Sequence, residues 1–325
     1  MTAGGRSAAE GDDELQRALE AGRTAALAAD CQRDLQEWAA SYPVLFSARP
    51  FDTRLFSTVA LANAFGVPWE SAERLRVATH ASLWVFAADW IVDYMAETRS
   101  EVEAVTRECL AVSELREPDV SPDPPRDDGT VATAAIELAR CLAGLQSELA
   151  TTPAFDVHKG LWRDQLRRYL SAMAQEWEWK AASAADRDAA AGGASGLPDF
   201  EQYLANADNF GSSLVNVAHW IFTGDERTLA HLDELWKVSE GVQRVLRLLN
   251  DLATYERDLT WGDLNSLMLG VDRATVAARI AEIVEDCRAL LGPLRATCPR
   301  EAAYLERQIG YSTGFYGVTD YWGTL

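Results

Sequence analysis

Apolar residues recur three and four positions apart along most of this chain, and no stretch alternates apolar and polar residues as a half-buried strand would. The period predicts helices near 12–40, 52–65, 69–97, 100–113, 130–150, 156–182, 199–222, 227–236, 238–260, 273–292 and 299–322. Two stretches interrupt it. The segment 116-REPDVSPDPPRDDG-129 is too rich in Pro and Asp to be helical throughout and reads as a surface loop over 116–129. The segment 181-AASAADRDAAAGGASGLPDF-200 is small and Gly-rich, and predicts a second surface loop over 183–198; its Pro198-Asp199 suits the opening of the next helix. Composition is alike on both sides of each break and no solenoid repeat is visible. The expected fold is therefore all-α: one helical bundle of about 10–12 helices spanning 1–325, with the polar start, 1–11, disordered.

One helical run carries charge where its neighbours are apolar. In 86-FAADWIVDYMAE-97, Asp89, Asp93 and Glu97 stand four residues apart, so on a regular helix they share a stripe. Carboxylates inside an apolar run are costly unless paired or bound to a cation. A second run, 247-RLLNDLATYERDLTWGDLN-265, repeats the spacing with Asn250, Thr254 and Asp258. All are oxygen donors, which suit Mg²⁺ better than zinc. Mg²⁺ keeps several waters and bridges to phosphate, so two sparse clusters facing each other would hold a diphosphate through several ions. Arg247 and Arg257 could grip phosphate oxygens bidentately. Polar residues at this spacing also decorate ordinary solvated helix faces, but the flanks Leu83–Phe86 and Trp90–Val92 are too apolar for that.

These residues resemble those of class I terpene synthases. Asn250, Asp251 and Thr254 match the second metal-binding motif, Asn-Asp-x-x-Ser/Thr-x-x-x-Glu, with Asp258 where Glu is usual. Asp89 to Asp93 resembles the aspartate-rich Asp-Asp-x-x-Asp motif, with Trp90 in place of its second Asp. The stretches 176-EWEW-179, 198-PDFEQYLANADNFGSS-213 and 315-FYGVTDYW-322, together with Gly262 and Asn265, are similar to segments of kaurene-synthase-like diterpene cyclases in bacteria, in the same order. The resemblance implies a helical bundle around a central apolar cavity. It implies Mg²⁺, as three ions, held by Asp89, Asp93, Asn250, Thr254 and Asp258, with Arg247 and Arg257 on the diphosphate. One step behind these ligands stand Glu97, Asp251 and Asp320. The carbocation left after ionisation would be shielded and steered by an aromatic wall through shape and cation–π attraction. Trp84, Phe86, Trp90, Tyr203, Phe210, Trp220, Tyr316 and Trp322 are its candidates, with Asn206, Ala207 and Gly211 at a small-residue helix break.

The implied activity is that of a lyase in isoprenoid biosynthesis: Mg²⁺-dependent ionisation of an allylic C20 diphosphate, then cyclisation to a diterpene. A copalyl-type bicyclic diphosphate is the favoured substrate and geranylgeranyl diphosphate the next; farnesyl diphosphate, making the enzyme a sesquiterpene synthase, is the alternative. The absence of an Asp-x-Asp-Asp acid argues against a protonation-initiated reaction. A reading of another class, a non-catalytic helical protein binding an isoprenoid or a partner, finds its support in Trp90 and Asp258.

Bulk properties narrow the field further. A formal charge of −20 disfavours nucleic acid and anionic membrane surfaces. No apolar run approaches the length of a membrane span. Five scattered cysteines without a CxxC pair, and no secretory leader, predict a cytoplasmic protein. The four histidines form no paired ligand set, and neither a phosphate-binding Gly-rich loop nor a GxSxG elbow is present. The expected partner is a small-molecule isoprenoid diphosphate; a homodimer is common in the family it resembles.

Overall fold

The computed structural model describes residues 8–47, 49–114, 125–188 and 196–323, and among these there are helices and no strand. The chain runs α1 (Ala8–Ala39), α2 (Pro43–Phe46), α3 (Thr53–Gly66), α4 (Ala72–Trp90), α5 (Arg99–Glu114), α6 (Val131–Leu149) and α7 (Pro153–Asp188). It continues through α8 (Phe200–Ala205), α9 (Ser212–Thr223), α10 (Glu226–Ala230), α11 (Leu232–Trp261), α12 (Arg273–Thr297) and α13 (Pro299–Tyr316). Many starts are set by short polar side chains that accept from the first free backbone N–H groups: Asp52 for α3, Ser71 for α4, Thr130 for α6 and Asp272 for α12. At α8, Asp199 and Gln202 cap each other's backbone reciprocally.

Helix α4 lies at the centre. It packs against α1, α3, α6 and α9, and Leu75, Leu83, Trp84 and Ala88 are fully buried. Helix α11 supplies the facing side through Val238, Val242, Val245 and Leu248, with α12 and α13 outside it. All five cysteines are buried and unpaired. Among the described residues no helix is long and apolar enough to cross a membrane.

Several boundaries differ from the expected ones, each for a physical reason. The expected helix 69–97 ends as regular α-helix at Trp90 and widens into a π-helical turn over Ile91–Met95, closed by the Ala96 N–H donating to the Ile91 carbonyl. The expected helix 199–222 is broken by a 3₁₀ turn, Ala207–Phe210, and by Gly211, whose φ of +75° places it in the left-handed region. No other residue fits there: a Cβ on Gly211 would lie 2.7 Å from Val85 Cγ1. The break expected near residue 237 falls instead at His231. Helix α7 continues to Asp188, so the 183–198 loop starts later than expected; its 189–195 portion, like 1–7 and 115–124, lies outside the described residues. The final expected helix stops at Tyr316, and residues 317–323 turn back over the bundle.

Candidate active site

A cavity of about 240 Å³ opens between α4, α7, α9, α11 and α13. It is polar on one side and aromatic elsewhere. Six carboxylates reach its wall: Asp89, Asp93, Glu176, Asp251, Asp258 and Asp263. Three cationic side chains face them, Lys180, Arg247 and Arg257. Nine aromatic rings complete the wall; Phe86, Tyr203, Phe210, Tyr316 and Trp322 belong to the set expected from the sequence, while Tyr94, Tyr304, Tyr311 and Tyr321 do not.

The acidic side is built from the ends of two helices. Asp89 lies in the last turn of α4 and Asp93 in the π turn that follows. Burial, then the charges of Asp263 and Glu176, push the Asp89 carboxyl up to about 7. Burial and the adjoining Asp89 charge push Asp93 well above the usual carboxylate range. Opposite them, α11 presents Asn250 and Asp258. Asp258 accepts from the Thr254 hydroxyl at 2.6 Å and the Asn265 amide at 2.8 Å, and burial still raises its carboxyl. Thr254 is buried behind Asp258 and is off the wall, a departure from its expected place as a direct ligand. Asn250 shares a hydrogen bond with the Tyr316 hydroxyl.

Glu97 is not part of this arrangement. The π turn adds a residue to the helical period and the helix then ends, so Glu97 is exposed and its backbone N–H is capped by Glu101. Its place is taken by residues the spacing did not single out. Gly262, at φ +76°, ends α11 in the left-handed region and swings Asp263 into the cavity. There Asp263 accepts from Tyr94 at 2.6 Å and from Lys180 at 2.5 Å. Lys180 also donates to the Asp93 carbonyl at 2.9 Å, one of the backbone acceptors at the π turn. Burial pulls the Lys180 ammonium down, but Asp93 and Asp263 outweigh it and hold it charged.

The two expected diphosphate arginines sit differently. Arg247 is buried, its guanidinium 3.9 Å from the centre of the Tyr203 ring, and it is gripped by Glu176 at 2.8 Å, by Asn209 and by the Asn206 carbonyl. Among the described residues its Nε has no hydrogen-bond partner. Arg257 lies over Trp261 and pairs with Asp258 at 3.4 Å and with Asp320 at 2.8 Å. Asp320 thus reaches the site through Arg257 and is itself off the wall. Asp251, in contrast, lines it; it accepts from Tyr203 and from the Ser266 N–H, and burial raises its carboxyl to about 7.

The expected wall needs five corrections. Trp84 is fully buried behind the cavity, its indole N–H donating to the Leu138 carbonyl at 3.0 Å. Trp90 is half-buried beside the mouth and stacks on Tyr94, centroids 4.6 Å apart. Asn206 pins the helix break to α7 through the Ala172 carbonyl, and Ala207 is packed inside that break. Trp220 lies on the far side of the bundle, beneath Tyr304. Aromatic residues on an apolar face read alike whether they meet a cavity or the core. Gly211 does reach the wall, beside Ser212.

The donors fit a hard divalent cation. Carboxylate excess over cationic side chains leaves negative charge that the protein does not neutralise, and burial makes that charge costly. Among the described residues neither the Asp89 nor the Asp93 carboxylate is held by a hydrogen bond from a basic side chain. Nor do three His, Cys, Asp or Glu side chains converge on one point among the described residues, so the arrangement is no closed protein cage. Sparse oxygen ligands with room for water and phosphate are the Mg²⁺ pattern.

Comparison with known proteins agrees with this geometry. The model of terpene synthase family 2, C-terminal metal binding, matches residues 81–289. The ent-pimara-9(11),15-diene synthase of Streptomyces sp. (strain KO-3988) is 28% identical over 295 residues, covering 90% of this chain and 91% of that protein. Linalool/nerolidol synthase from Streptomyces clavuligerus, solved with 2-fluorogeranyl diphosphate, superposes with a TM-score of 0.64 at 16% identity, over 90% of this chain and 97% of that one. The 2-methylisoborneol synthase of Streptomyces coelicolor A3(2), solved with Mg²⁺ and geranyl-S-thiolodiphosphate, superposes with a TM-score of 0.64 at 16% identity, over 92% and 93%.

Proposed function

The chain belongs to terpene synthase family 2, and from that premise we propose that it is a Mg²⁺-dependent diterpene synthase acting on an allylic C20 diphosphate. As a member of this family it is an enzyme acting on isoprenyl diphosphates. The observation that carries the finer reading is the division of the cavity into an acidic rim and an aromatic body. When bound, Mg²⁺ would stabilise the departing diphosphate as a Lewis acid.

Asp89 and Asp93 on one side, and Asn250 and Asp258 on the other, are placed to hold the ions, with Thr254 orienting Asp258. Mg²⁺ complexes of solved relatives support the metal; three ions would match a site with ligands on two walls. Arg257 can turn from Asp320 to phosphate, while Arg247 is fixed by Glu176 and Asn209. Around the rest of the cavity Phe86, Phe210, Tyr316 and Trp322 exclude water and present ring faces to a carbocation, worth about 0.5–2 kcal/mol per cation–π contact. Five buried thiols accord with a cytoplasmic site of action.

A copalyl-type diphosphate is the first choice, geranylgeranyl diphosphate the second and farnesyl diphosphate the third. The likeness to a pimaradiene synthase supports C20 over C15. The test is to offer farnesyl, geranylgeranyl and both copalyl diphosphates with Mg²⁺, and to measure hydrocarbon products and released pyrophosphate. Turnover of C20 substrates is expected; turnover of farnesyl diphosphate alone would replace the reading by a sesquiterpene synthase. No pyrophosphate from any of them would end it.

A further inference from the structure

We propose that Tyr304 is a seal, closing the floor of the reaction cavity against a second, polar cavity through which water would otherwise enter; the inference rests on the cation chemistry proposed above. Two cavities meet at this residue. Beneath the reaction cavity lies another of about 400 Å³, and among the described residues Tyr304 is the one side chain that lines both. The lower cavity is lined by charged groups, Glu70, Arg74, Asp225, Arg227, Arg300 and Glu301. Asp225, Arg227 and Arg300 are exposed, so it is open to solvent. Water belongs there, and water one ring away from a carbocation is a nucleophile.

The ring is held in place from three sides. Its hydroxyl donates to Asn216 Oδ1 at 2.7 Å. Asn216 is fully buried and is itself locked to Gln308 by a reciprocal amide pair of 2.8 and 3.1 Å and to Ser239 at 2.8 Å. On the other edge the ring lies on Gly66, where an added Cβ would come within 2.8 Å of Tyr304 Cε2. Below, Trp220 meets it edge-on, centroids 6.3 Å apart. Along α13, Tyr304 stands twelve residues before Tyr316, so the floor lies about 18 Å by helical rise from the residue bonded to Asn250. The seal is at the end of the cavity remote from the acidic rim.

Breaking it has a defined chemical consequence. Water entering from below adds its oxygen to the cation, a C–O bond forms, and the proton leaves to solvent, giving an alcohol. The experiment runs wild type, Tyr304→Ala, Tyr304→Phe and Gly66→Ala in H₂¹⁸O with Mg²⁺ and the preferred diphosphate, and analyses products by mass spectrometry. Tyr304→Ala is expected to yield ¹⁸O-labelled alcohols absent from wild type, because water exclusion is what suppresses this side reaction. Gly66→Ala, which displaces the ring from the opposite side without touching it chemically and keeps a good helix former, is expected to yield the same new alcohols. Tyr304→Phe keeps the ring and is expected to reproduce the wild-type profile.

A wild-type profile from both Tyr304→Ala and Gly66→Ala overturns the inference. So does loss of all turnover in both with the helical circular dichroism intact, since a seal against water leaves ionisation running. Should Tyr304→Ala not fold, Gly66→Ala decides alone. Absence of turnover in wild type itself would instead remove the functional reading on which the inference stands.

Discussion

Lys180 on α7 and Asp263, just past the end of α11, form a 2.5 Å ion pair across the mouth of the cavity. The pair is only partly exposed, at 19% and 22%, and Tyr94 closes it by donating to the other Asp263 oxygen. Through the Asp93 carbonyl, Lys180 also fixes the π turn that carries one proposed metal ligand. Lys180→Met should therefore leave Asp263 facing Asp89 and Asp93 without its cation. Removing one partner of a partly buried pair costs about 1–3 kcal/mol here, less than the fully buried case. The expected result is a thermal midpoint lower by several degrees without Mg²⁺ and a smaller deficit with it, because the ion replaces the missing positive charge. Asp263→Asn should relieve part of that loss in the double variant, which a double-mutant cycle on unfolding free energy will read.

Asp89→Ala and Asn250→Ala remove one proposed ligand from each wall of the rim. Each is expected to abolish turnover, a loss of about a thousandfold or more, because charge on the leaving group is then left unstabilised. The helical circular-dichroism signal should stay as in wild type, since neither side chain supports the core. Either variant near full activity would show the metal to be held elsewhere.

The rim was legible where helical period alone decides facing. Asp89, Asp93, Asn250 and Asp258 could be paired because four-residue steps, one from the end of α4 into the π turn and two along α11, keep them on the cavity side. Glu97 failed because the same arithmetic assumes a regular helix, and Ile91–Met95 widens to an i+5 ladder before the helix stops. Lys180 and Asp263 stand 83 residues apart, and no local pattern joins them. One signal did exist: Gly262 directly after the last periodic residue predicts a left-handed cap, which turns the next side chain off the helix axis. The helix break at Gly211 was visible in the run Gly-Ser-Ser, whereas Trp84 and Trp220 show that an aromatic on an apolar face says nothing about which side of a core it serves.

Trp90 stands where a second motif aspartate would, and the geometry argues against restoring it. Its indole stacks on Tyr94 at 22° between planes and contacts Trp322 at 6.0 Å, so it props the tyrosine that holds Asp263. Trp90→Asp would remove that stack, worth about 0.5–1.5 kcal/mol beyond the lost burial, and add a fourth carboxylate beside Asp89, Asp93 and Asp263. The variant is expected to melt lower and turn over more slowly, with no gain in apparent Mg²⁺ affinity. A tighter Mg²⁺ dependence at undiminished turnover would mean that the indole is merely a missing ligand.

His219, on α9 beside the solvent-open lower cavity and with its ring 5.5 Å from that of Tyr304, gives the fold an acid-sensitive element remote from the acidic rim. Burial, with the Arg74 charge adding to it, lowers its imidazole from 6.5 to about 4. The sign follows from proton counting. Between those two values the unfolded chain binds a proton that the folded chain refuses, so this contribution to stability is full above pH 6.5 and falls as pH drops toward 4. Buried carboxylates such as Asp251, raised to about 7, act in the opposite sense, but they are common to wild type and variant and cancel in the difference. Urea unfolding at pH 7.5 and at pH 5.2, clear of the isoelectric point near 4.6, should show wild type losing about 2 kcal/mol more than His219→Gln. Equal losses in the two proteins would mean that the folded imidazole accepts its proton at the ordinary pH, and that the lower cavity hydrates it.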